Sequence, residues 1–198
     1  MSIHFATGDA TKPAAPHNLC VIVHIVNDIG AWGAGFVRAL SRTLPMSERL
    51  YRDWHMMRPR DFTSEERTGP LALGHVQLVT CTSPFVANVC GQHGIKRARA
   101  QSAPGHARVE VPPIRYDAVR KGLERLEEIL SRRDGSRRLI SDLGNKPYPG
   151  DYQIHMPRIG TGLAGGDWDL IEPIVADVFK NRRTVVVYRL PVAPSRKR

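Results

Sequence analysis

The segment "NLCVIVHIVN", residues 18–27, restricts the fold of this chain more than any other feature, because it is almost entirely apolar and rich in β-branched residues. Such a run is typical of a strand at the centre of a sheet, buried on both faces. Glycine-punctuated sequence follows, and from Gly33 apolar residues return at helical spacing as far as Leu44. The pattern predicts a strand, a loop and a helix in succession.

The rest of the chain repeats this alternation. Two short apolar runs, residues 75–81 and 85–91, are separated by only three residues and predict a β-hairpin. Further helices are predicted at residues 47–57, 114–133 and 168–180, and further strands at residues 152–159 and 184–190. Alternating strands and helices favour an α/β fold, a three-layer α/β/α sandwich with a mixed central sheet.

The composition suits one domain, with 41% hydrophobic residues in a chain of 198. We expect this domain to span residues 1–191 and residues 192–198 to form a basic, disordered tail. No segment approaches the roughly 18 consecutive apolar residues that span a bilayer, and the first residues do not resemble a signal peptide. We therefore expect a cytoplasmic protein without a membrane partner.

The charge of the chain points to anionic ligands. A formal net charge of +10 attracts polyanions, whether nucleic acid or a phosphate-bearing ligand. A nucleic-acid partner stays open on charge alone, although we find no recognition motif and no aromatic residues among the basic ones. The three cysteines and eight histidines show no metal-ligand spacing, so we predict no metal ion. No cofactor is predicted either.

A second glycine-rich segment, "GTGLAG" at residues 160–165, matches the G-x-G-x-x-G pattern of dinucleotide-binding turns. Its context differs from that of a dehydrogenase, because it follows a late strand and the next strand ends without a carboxylate. Glycines there still allow backbone to approach a ligand closely, and a helix N-terminus beyond the loop favours an anion such as a diphosphate. The alternative is a turn shaped only by packing.

Residues 27–35, "NDIGAWGAG", form a similar loop after the first predicted strand. We call this segment the first glycine loop and residues 160–165 the second glycine loop. Each lies between a strand and a helix, and in open α/β sheets such loops border the crevice at the carboxyl ends of the strands. The two loops therefore predict one ligand-binding crevice.

Three segments, in this order, resemble a known family: "FATGDAT", "VIVHIVNDIGAWGAGFVRAL" and "MPRIGTGLAGGDWDLIEPIV". They are similar to the adenine-contacting segment and the two ligand loops of macro domains, the ADP-ribose-binding fold. Within that family the chain looks closest to terminal ADP-ribose protein glycohydrolases and ADP-ribose-1''-phosphate phosphatases. The resemblance implies a macrodomain fold over nearly the whole chain, with ADP-ribose as ligand.

The resemblance also implies roles for individual residues. Asp9, beside Ala10, would accept a hydrogen bond from the adenine amino group, and Asn27 would bind the hydroxyl groups of the distal ribose. Tyr188 would stack on the adenine, or is simply an aromatic residue of the sheet. The ribose and phosphates would be wrapped by Gly33, Ala34, Gly35 and Phe36. The diphosphate would be cradled by Gly160, Thr161, Gly162, Leu163, Ala164 and Gly165.

The chain departs from the glycohydrolase branch at its catalytic positions. That branch has a lysine just beyond the strand equivalent to residues 85–91, and an aspartate in the second loop. Here Gln92 and His93 follow the strand, with Lys96 a few residues further, and Ala164 stands at the aspartate position. The other hydrolase branch has a longer run of glycines in the first loop, where this chain has alanine and tryptophan. Neither catalytic pattern transfers directly.

Three residues are the candidates for catalysis. Asn27 would hold the distal ribose, Asp167 could activate a water molecule, and His93 could serve as an acid or base near neutral pH. Asp167 could instead be an acidic residue at a helix N-terminus, where the helix dipole favours it, and His93 could be a histidine of a surface loop. We expect a hydrolase that removes mono-ADP-ribose from acidic side chains of a protein partner. The alternative is a non-catalytic reader of ADP-ribose.

Overall fold

A computed structural model describes residues 3–14, 20–60, 64–82, 84–95, 98–99, 110–132, 152–180 and 183–191. These residues contain nine strands and four helices. In chain order they are β1 (Ile3–Thr7), β2 (Cys20–Asn27), α1 (Phe36–Thr43), α2 (Met46–His55), β3 (Glu65–Arg67), β4 (Val76–Val79), β5 (Phe85–Gln92), β6 (Ala98–Arg99), β7 (Glu110–Val111), α3 (Tyr116–Arg132), β8 (Gln153–Pro157), α4 (Trp168–Phe179) and β9 (Val185–Arg189).

Seven strands form one mixed sheet in the order β1-β9-β8-β2-β5-β4-β3, and β6 pairs with β7 in a separate two-stranded sheet. From β1 to β5 all neighbouring strands are parallel, while β4 and β3 add an antiparallel edge. The carboxyl ends of β2, β5, β8 and β9 therefore meet at one edge of the sheet. In parallel sheets this edge is where ligands bind.

Helices cover both faces of the sheet, because neighbouring residues of β2 point to opposite sides. Ile22 packs with Leu40 of α1 and Leu50 of α2. Val21 and Val23 face the other way and share a larger core with side chains of α3 and α4. The expected three-layer α/β/α sandwich with a mixed sheet is confirmed, and its central strand is buried on both faces.

A glycine lets one helix lie close to the sheet. A Cβ atom at Gly122 of α3 would lie only 2.5 Å from Cγ1 of Val89 in β5. The missing side chain thus allows direct backbone approach between helix and strand.

Most of the predicted elements are present with shifted ends. The hairpin of β4 and β5 is confirmed, as are the four predicted helices and the strands β2, β8 and β9. Strands β3, β6 and β7 were missed. The sequence of β3, "EER", carries no apolar pattern, and Glu65 and Arg67 are buried together as an ion pair. The predicted tail, residues 192–198, lies outside the described residues. Within the described part of the chain, no helix is both long and apolar enough to cross a membrane.

Candidate functional site

A cleft of about 430 Å³ opens at the carboxyl ends of the parallel strands, between the two glycine loops. A larger hollow of about 620 Å³ lies beside α2. Two arginines there are neutralised, Arg52 by Glu48 and Arg58 by Asp53, each at 2.8 Å, while Arg49 also lines the hollow. Among the described residues, the cleft between the loops contains no such pair and is the better candidate for a ligand.

Several predicted ligand residues line this cleft. They are Ala34, Gly35, Phe36, Gly160, Thr161, Gly162, Leu163, Ala164 and Tyr188. Asp9, Ala10, Asn27, Gly33 and Gly165 belong to the bordering segments without lining the cleft. His24, Gln92, Arg158 and Arg189 also line it, and the sequence analysis assigned them no ligand role.

Asn27 shapes the first glycine loop with its own side chain. Its Nδ2 donates to the carbonyl oxygen of Ala31 at 2.6 Å, and its Oδ1 accepts from the backbone N–H groups of Ala31 at 2.9 Å and Ile29 at 3.2 Å. The hydroxyl of Tyr51 in α2 donates to the carbonyl oxygen of Asn27 at 2.7 Å. Asn27 is only 7% exposed. It acts here as a support of the loop, and its predicted contact with a ribose stays a prediction.

The start of α1 presents free backbone donors to the cleft. Gly35 precedes the helix with φ of 73°, a conformation that glycine adopts without strain. No side chain of the described residues caps this helix, and its first residues, Phe36 and Val37, line the cleft. Because the first N–H groups of a helix lack intrahelical partners and lie at the positive end of its dipole, they favour an anion.

The second glycine loop is a tight turn held by its own backbone. The N–H of Gly166 donates to the carbonyl oxygen of Gly160 at 2.8 Å, and that of Gly165 to Gly162 at 2.9 Å. Gly160 has φ of 73°, and a Cβ atom there would lie 2.8 Å from Cδ1 of Ile114. A Cβ atom at Gly162 would meet nothing within 4 Å. The backbone conformation and close packing at Gly160 therefore favour glycine, whereas Gly162 borders open space.

The two loops approach each other across the cleft, and the cleft is positively charged. Leu163, 71% exposed, lies near Gly35, where an ideal Cβ atom would be 3.7 Å from its Cδ1. Arg158 and Arg189 follow or end neighbouring strands and both line the cleft. No carboxylate lines it in the part of the chain that the structure describes. The cleft thus suits a phosphate-bearing ligand.

At one end of the cleft Tyr188 lies beside the turn that contains Asp9. One carboxylate oxygen of Asp9 accepts from the N–H and the hydroxyl of Thr11, both at 2.9 Å. The Tyr188 hydroxyl lies 3.0 Å from Nδ1 of His155, whose Nε2 lies 3.3 Å from the side-chain oxygen of Gln153. Burial lowers the pKa of His155 to about 4, so the ring is neutral near pH 7. Nε2 then donates to Gln153, and Nδ1 accepts from Tyr188.

Beyond Gln92, at the other end of the cleft, Asp28 and His93 meet, and neither side chain lines the cleft itself. Oδ2 of Asp28 lies 2.7 Å from Nδ1 of His93, and its Oδ1 accepts the N–H of Gly94 at 2.8 Å. Burial alone would raise the pKa of Asp28, but the hydrogen bonds from Gly94 and His93 outweigh it and lower that pKa. Asp28 was not predicted as a site residue. Its position directly after the central strand, at the ligand edge of the sheet, was the available signal.

Asp167 lies outside the cleft lining and caps α4. Its Oδ1 accepts from the N–H of Asp169 at 3.0 Å, and its own N–H donates to the hydroxyl of Tyr116 at 3.0 Å. Asp167 therefore lies at the N-terminus of a helix, as the alternative for this residue stated. Its predicted role as a base stays a prediction. Lys96 lies outside the described residues.

Comparison with solved structures gives relatives over almost the whole chain. A protein of unknown function from Bacteroides thetaiotaomicron is 36% identical over 96% of this chain and 99% of its own, with a TM-score of 0.69. A macrodomain protein from Streptomyces coelicolor is 33% identical over 95% of this chain and 99% of its own, with a TM-score of 0.64. The chain belongs to the macrodomain family. The resemblance read from its three segments is thereby confirmed.

A more distant macrodomain, that of Trypanosoma brucei, was solved in complex with ADP-ribose. It is 15% identical and matches 95% of this chain and 63% of its own, with a TM-score of 0.50, so this likeness concerns the fold alone. No model of a protein family matches the chain, and no curated protein does.

Proposed function

We propose that this macrodomain binds ADP-ribose in the cleft and hydrolyses the ester that joins mono-ADP-ribose to an acidic side chain of a protein. The observation that carries the proposal is the cleft itself. It combines two glycine loops and an uncapped helix start with two arginines, and no carboxylate lines it among the described residues. A diphosphate with a sugar on each side matches this arrangement of donors and charge.

The orientation of the ligand follows from the two ends of the cleft. The diphosphate would lie between the start of α1 and the second glycine loop, where backbone N–H groups are available. The adenine would lie beside Tyr188 and the turn of Asp9, whose second carboxylate oxygen can accept from an amino group. The distal ribose would then lie towards Asn27 and Gln92, on the side where His93 stands.

Hydrolysis places modest demands on the protein. A water molecule attacks the anomeric carbon of the distal ribose, the bond from that carbon to the ester oxygen breaks, and the protein carboxylate leaves. Binding supplies part of the catalysis, because it fixes the anomeric carbon beside a water molecule. The proton of the water needs a base. His93 is exposed at the distal end, whereas Asp167 is engaged in capping α4.

A second candidate is a reader that binds ADP-ribose without cleaving it. One observation favours it, namely that Ala164 fills the second-loop position where a carboxylate would face the ligand. Ester cleavage then depends on groups at the distal end of the cleft.

The proposal is tested with a glutamate-linked mono-ADP-ribosylated protein and mass spectrometry of released ADP-ribose. Calorimetry with free ADP-ribose on the same sample reports binding. Release above the control without enzyme, abolished by Gly162→Val, supports the hydrolase. Leu170→Ala, on the exposed side of α4, serves as the matched variant outside the cleft. Binding without release identifies a reader, and failure to bind ADP-ribose overturns both functions.

A further inference from the structure

The sheet brings Asp28 and His93 together although 65 positions separate them. Strands β2 and β5 are parallel neighbours, and their register pairs Asn27 with Gln92. The residues that directly follow the two strands are therefore Asp28, after β2, and His93, after β5. The backbone N–H of Asp28 continues the ladder by donating to the carbonyl oxygen of Gln92 at 3.0 Å. The contact between the two side chains is thus a consequence of the strand order.

Asp28 fixes both the position and the tautomer of the His93 ring. One carboxylate oxygen of Asp28 accepts the backbone N–H of Gly94, and the other faces Nδ1 of His93. The backbone N–H of His93 donates to the carbonyl oxygen of Pro113 at 2.9 Å. An ionised carboxylate only accepts hydrogen bonds, so Nδ1 carries the proton. In the neutral ring the free electron pair is then on Nε2, pointing away from Asp28.

Among the described residues, Asp28 is the charged group in hydrogen-bond contact with this ring. Tyr51 and Cys90 lie near Asp28, and burial raises the pKa of the Tyr51 hydroxyl and raises that of the Cys90 thiol to about 12. Both are therefore neutral near pH 7. Within the described part of the chain, His93 is the ionisable group in hydrogen-bond contact with the carboxylate of Asp28.

His93 lies beside the end of the cleft where the distal ribose would lie, without lining the cleft itself. His93 follows Gln92, which lines the cleft, and its side chain is 60% exposed. The side chain is thus open to water. An imidazole with a bare nitrogen, held by a carboxylate on its other nitrogen, is an arrangement suited to removing a proton from water.

We propose that Asp28 is a positioning residue for catalysis, which holds His93 so that Nε2 removes the proton from the attacking water. This inference rests on the proposed hydrolase function. The hydroxyl of the water bonds to the anomeric carbon and the substrate carboxylate leaves with the electron pair of the broken bond. The proton passes to Nε2, where Asp28 stabilises the imidazolium, and then to solvent.

The decisive variant is Asp28→Asn, assayed in the full chain with the glutamate-linked substrate. An asparagine oxygen can still accept from Gly94, but its NH₂ group cannot accept from Nδ1 of His93. We expect kcat to fall by about 100-fold, while KM and the ADP-ribose Kd change by less than about twofold. His93→Gln should lower kcat similarly, and the double variant should be no slower than either single one.

A second measurement separates catalysis from a purely structural role. Imidazole added to His93→Gly should restore part of the turnover, whereas it should not restore Gly162→Val, whose cleft is blocked. A normal kcat in Asp28→Asn, with release by the wild-type protein, overturns this inference and leaves the proposed function standing. If Asp28→Asn lowers both the ADP-ribose affinity and the melting temperature, the inference is also overturned. Asp28 would then only hold the first glycine loop to the segment of His93 and Gly94. Absence of release by the wild-type protein overturns the proposed function and this inference together.

Discussion

The hydroxyl group of Tyr51 lies 2.7 Å from the carbonyl oxygen of Asn27 and 3.1 Å from its side-chain oxygen. Tyr51 is fully buried in α2, and Asn27 is the last residue of the central strand. The helix layer thus supports the first glycine loop at the residue that organises it. This contact couples the packing of α2 to the shape of the cleft.

Tyr51→Phe should therefore weaken both the fold and ligand binding. The variant leaves a buried carbonyl without its donor, which costs about 1–3 kcal/mol. We expect a lower free energy of unfolding in urea and ADP-ribose binding weakened about threefold to tenfold, because the loop loses its support. Lower stability with unchanged binding in calorimetry would show instead that the bond supports only α2.

Two glycines of the second loop should respond in opposite ways to alanine. Gly160 has a positive φ, and a Cβ atom there would press on the ends of the Ile114 and Ile171 side chains, so Gly160→Ala should destabilise the fold by roughly 1–3 kcal/mol. Gly162 faces open space, so Gly162→Ala should change stability by less than about 0.5 kcal/mol.

ADP-ribose binding should also distinguish Gly160→Ala from Gly162→Ala. A methyl group on Gly162 enters the space beside the ligand, so we expect Gly162→Ala to weaken ADP-ribose binding by about tenfold despite its normal stability. Urea unfolding and calorimetry on both variants check this. If Gly162→Ala bound ADP-ribose as well as the wild-type protein does, the second glycine loop would not be the diphosphate site.

The sequence predicted the parts of this fold that depend on local pattern. The apolar run of β2 and the helical spacing after Gly33 each identify one element, and together they place the first glycine loop at the ligand edge. The same holds for β8, the second glycine loop and α4. Strand β3 has no such pattern, because its burial depends on an ion pair between Glu65 and Arg67 that only the fold creates.

The candidate site was less predictable, for two physical reasons. Asp28 and His93 meet because β2 and β5 are neighbours, and strand order does not follow from local periodicity. Asp167 stands close to the second glycine loop in sequence, yet its carboxylate turns back to cap α4. Spacing along the chain locates a side chain only to its loop, and hydrogen bonds decide where it points.

The two arginines of the cleft should contribute to phosphate binding. Arg158→Met and Arg189→Met each remove a positive charge while keeping an apolar stem of similar length. We expect each variant to weaken ADP-ribose binding by about tenfold, roughly 1.4 kcal/mol, and to leave adenosine binding nearly unchanged. Arg42→Met, at the exposed end of α1, is the matched control. Equal losses for adenosine would indicate that the arginines only shape the cleft.

Substitutions of Asp167 distinguish its role as a helix cap from a role as a catalytic base. Asparagine is about as good a cap as aspartate, whereas alanine costs about 1 kcal/mol. We expect Asp167→Asn to keep both stability and kcat within about twofold, and Asp167→Ala to lose stability while retaining the chemistry. The checks are thermal unfolding and release of ADP-ribose. A large loss of kcat in a stable Asp167→Asn protein would make Asp167 the base in place of His93.

Two buried histidines should make the protein less stable in mild acid. Burial lowers the pKa of His24 and of His155 to about 4, from an unfolded value near 6.5. Between these values the unfolded chain binds more protons than the folded one, so this part of the stability is complete above pH 6.5 and is lost as the pH falls towards 4. Each histidine contributes a slope of up to about 1.4 kcal/mol per pH unit.

His155→Gln tests this dependence, because glutamine does not titrate and can still accept from the Tyr188 hydroxyl. The measurement is the free energy of unfolding in urea at intervals from pH 7.5 to pH 4.5. We expect the free energy of unfolding to fall more steeply with falling pH in the wild-type protein than in the variant. The difference in slope should reach about 1.4 kcal/mol per pH unit, which corresponds to one proton. Glu65, whose pKa is raised by burial, acts in the opposite direction in both proteins and cancels in the difference. Identical slopes would mean that His155 is protonated as readily in the folded protein as in the unfolded chain.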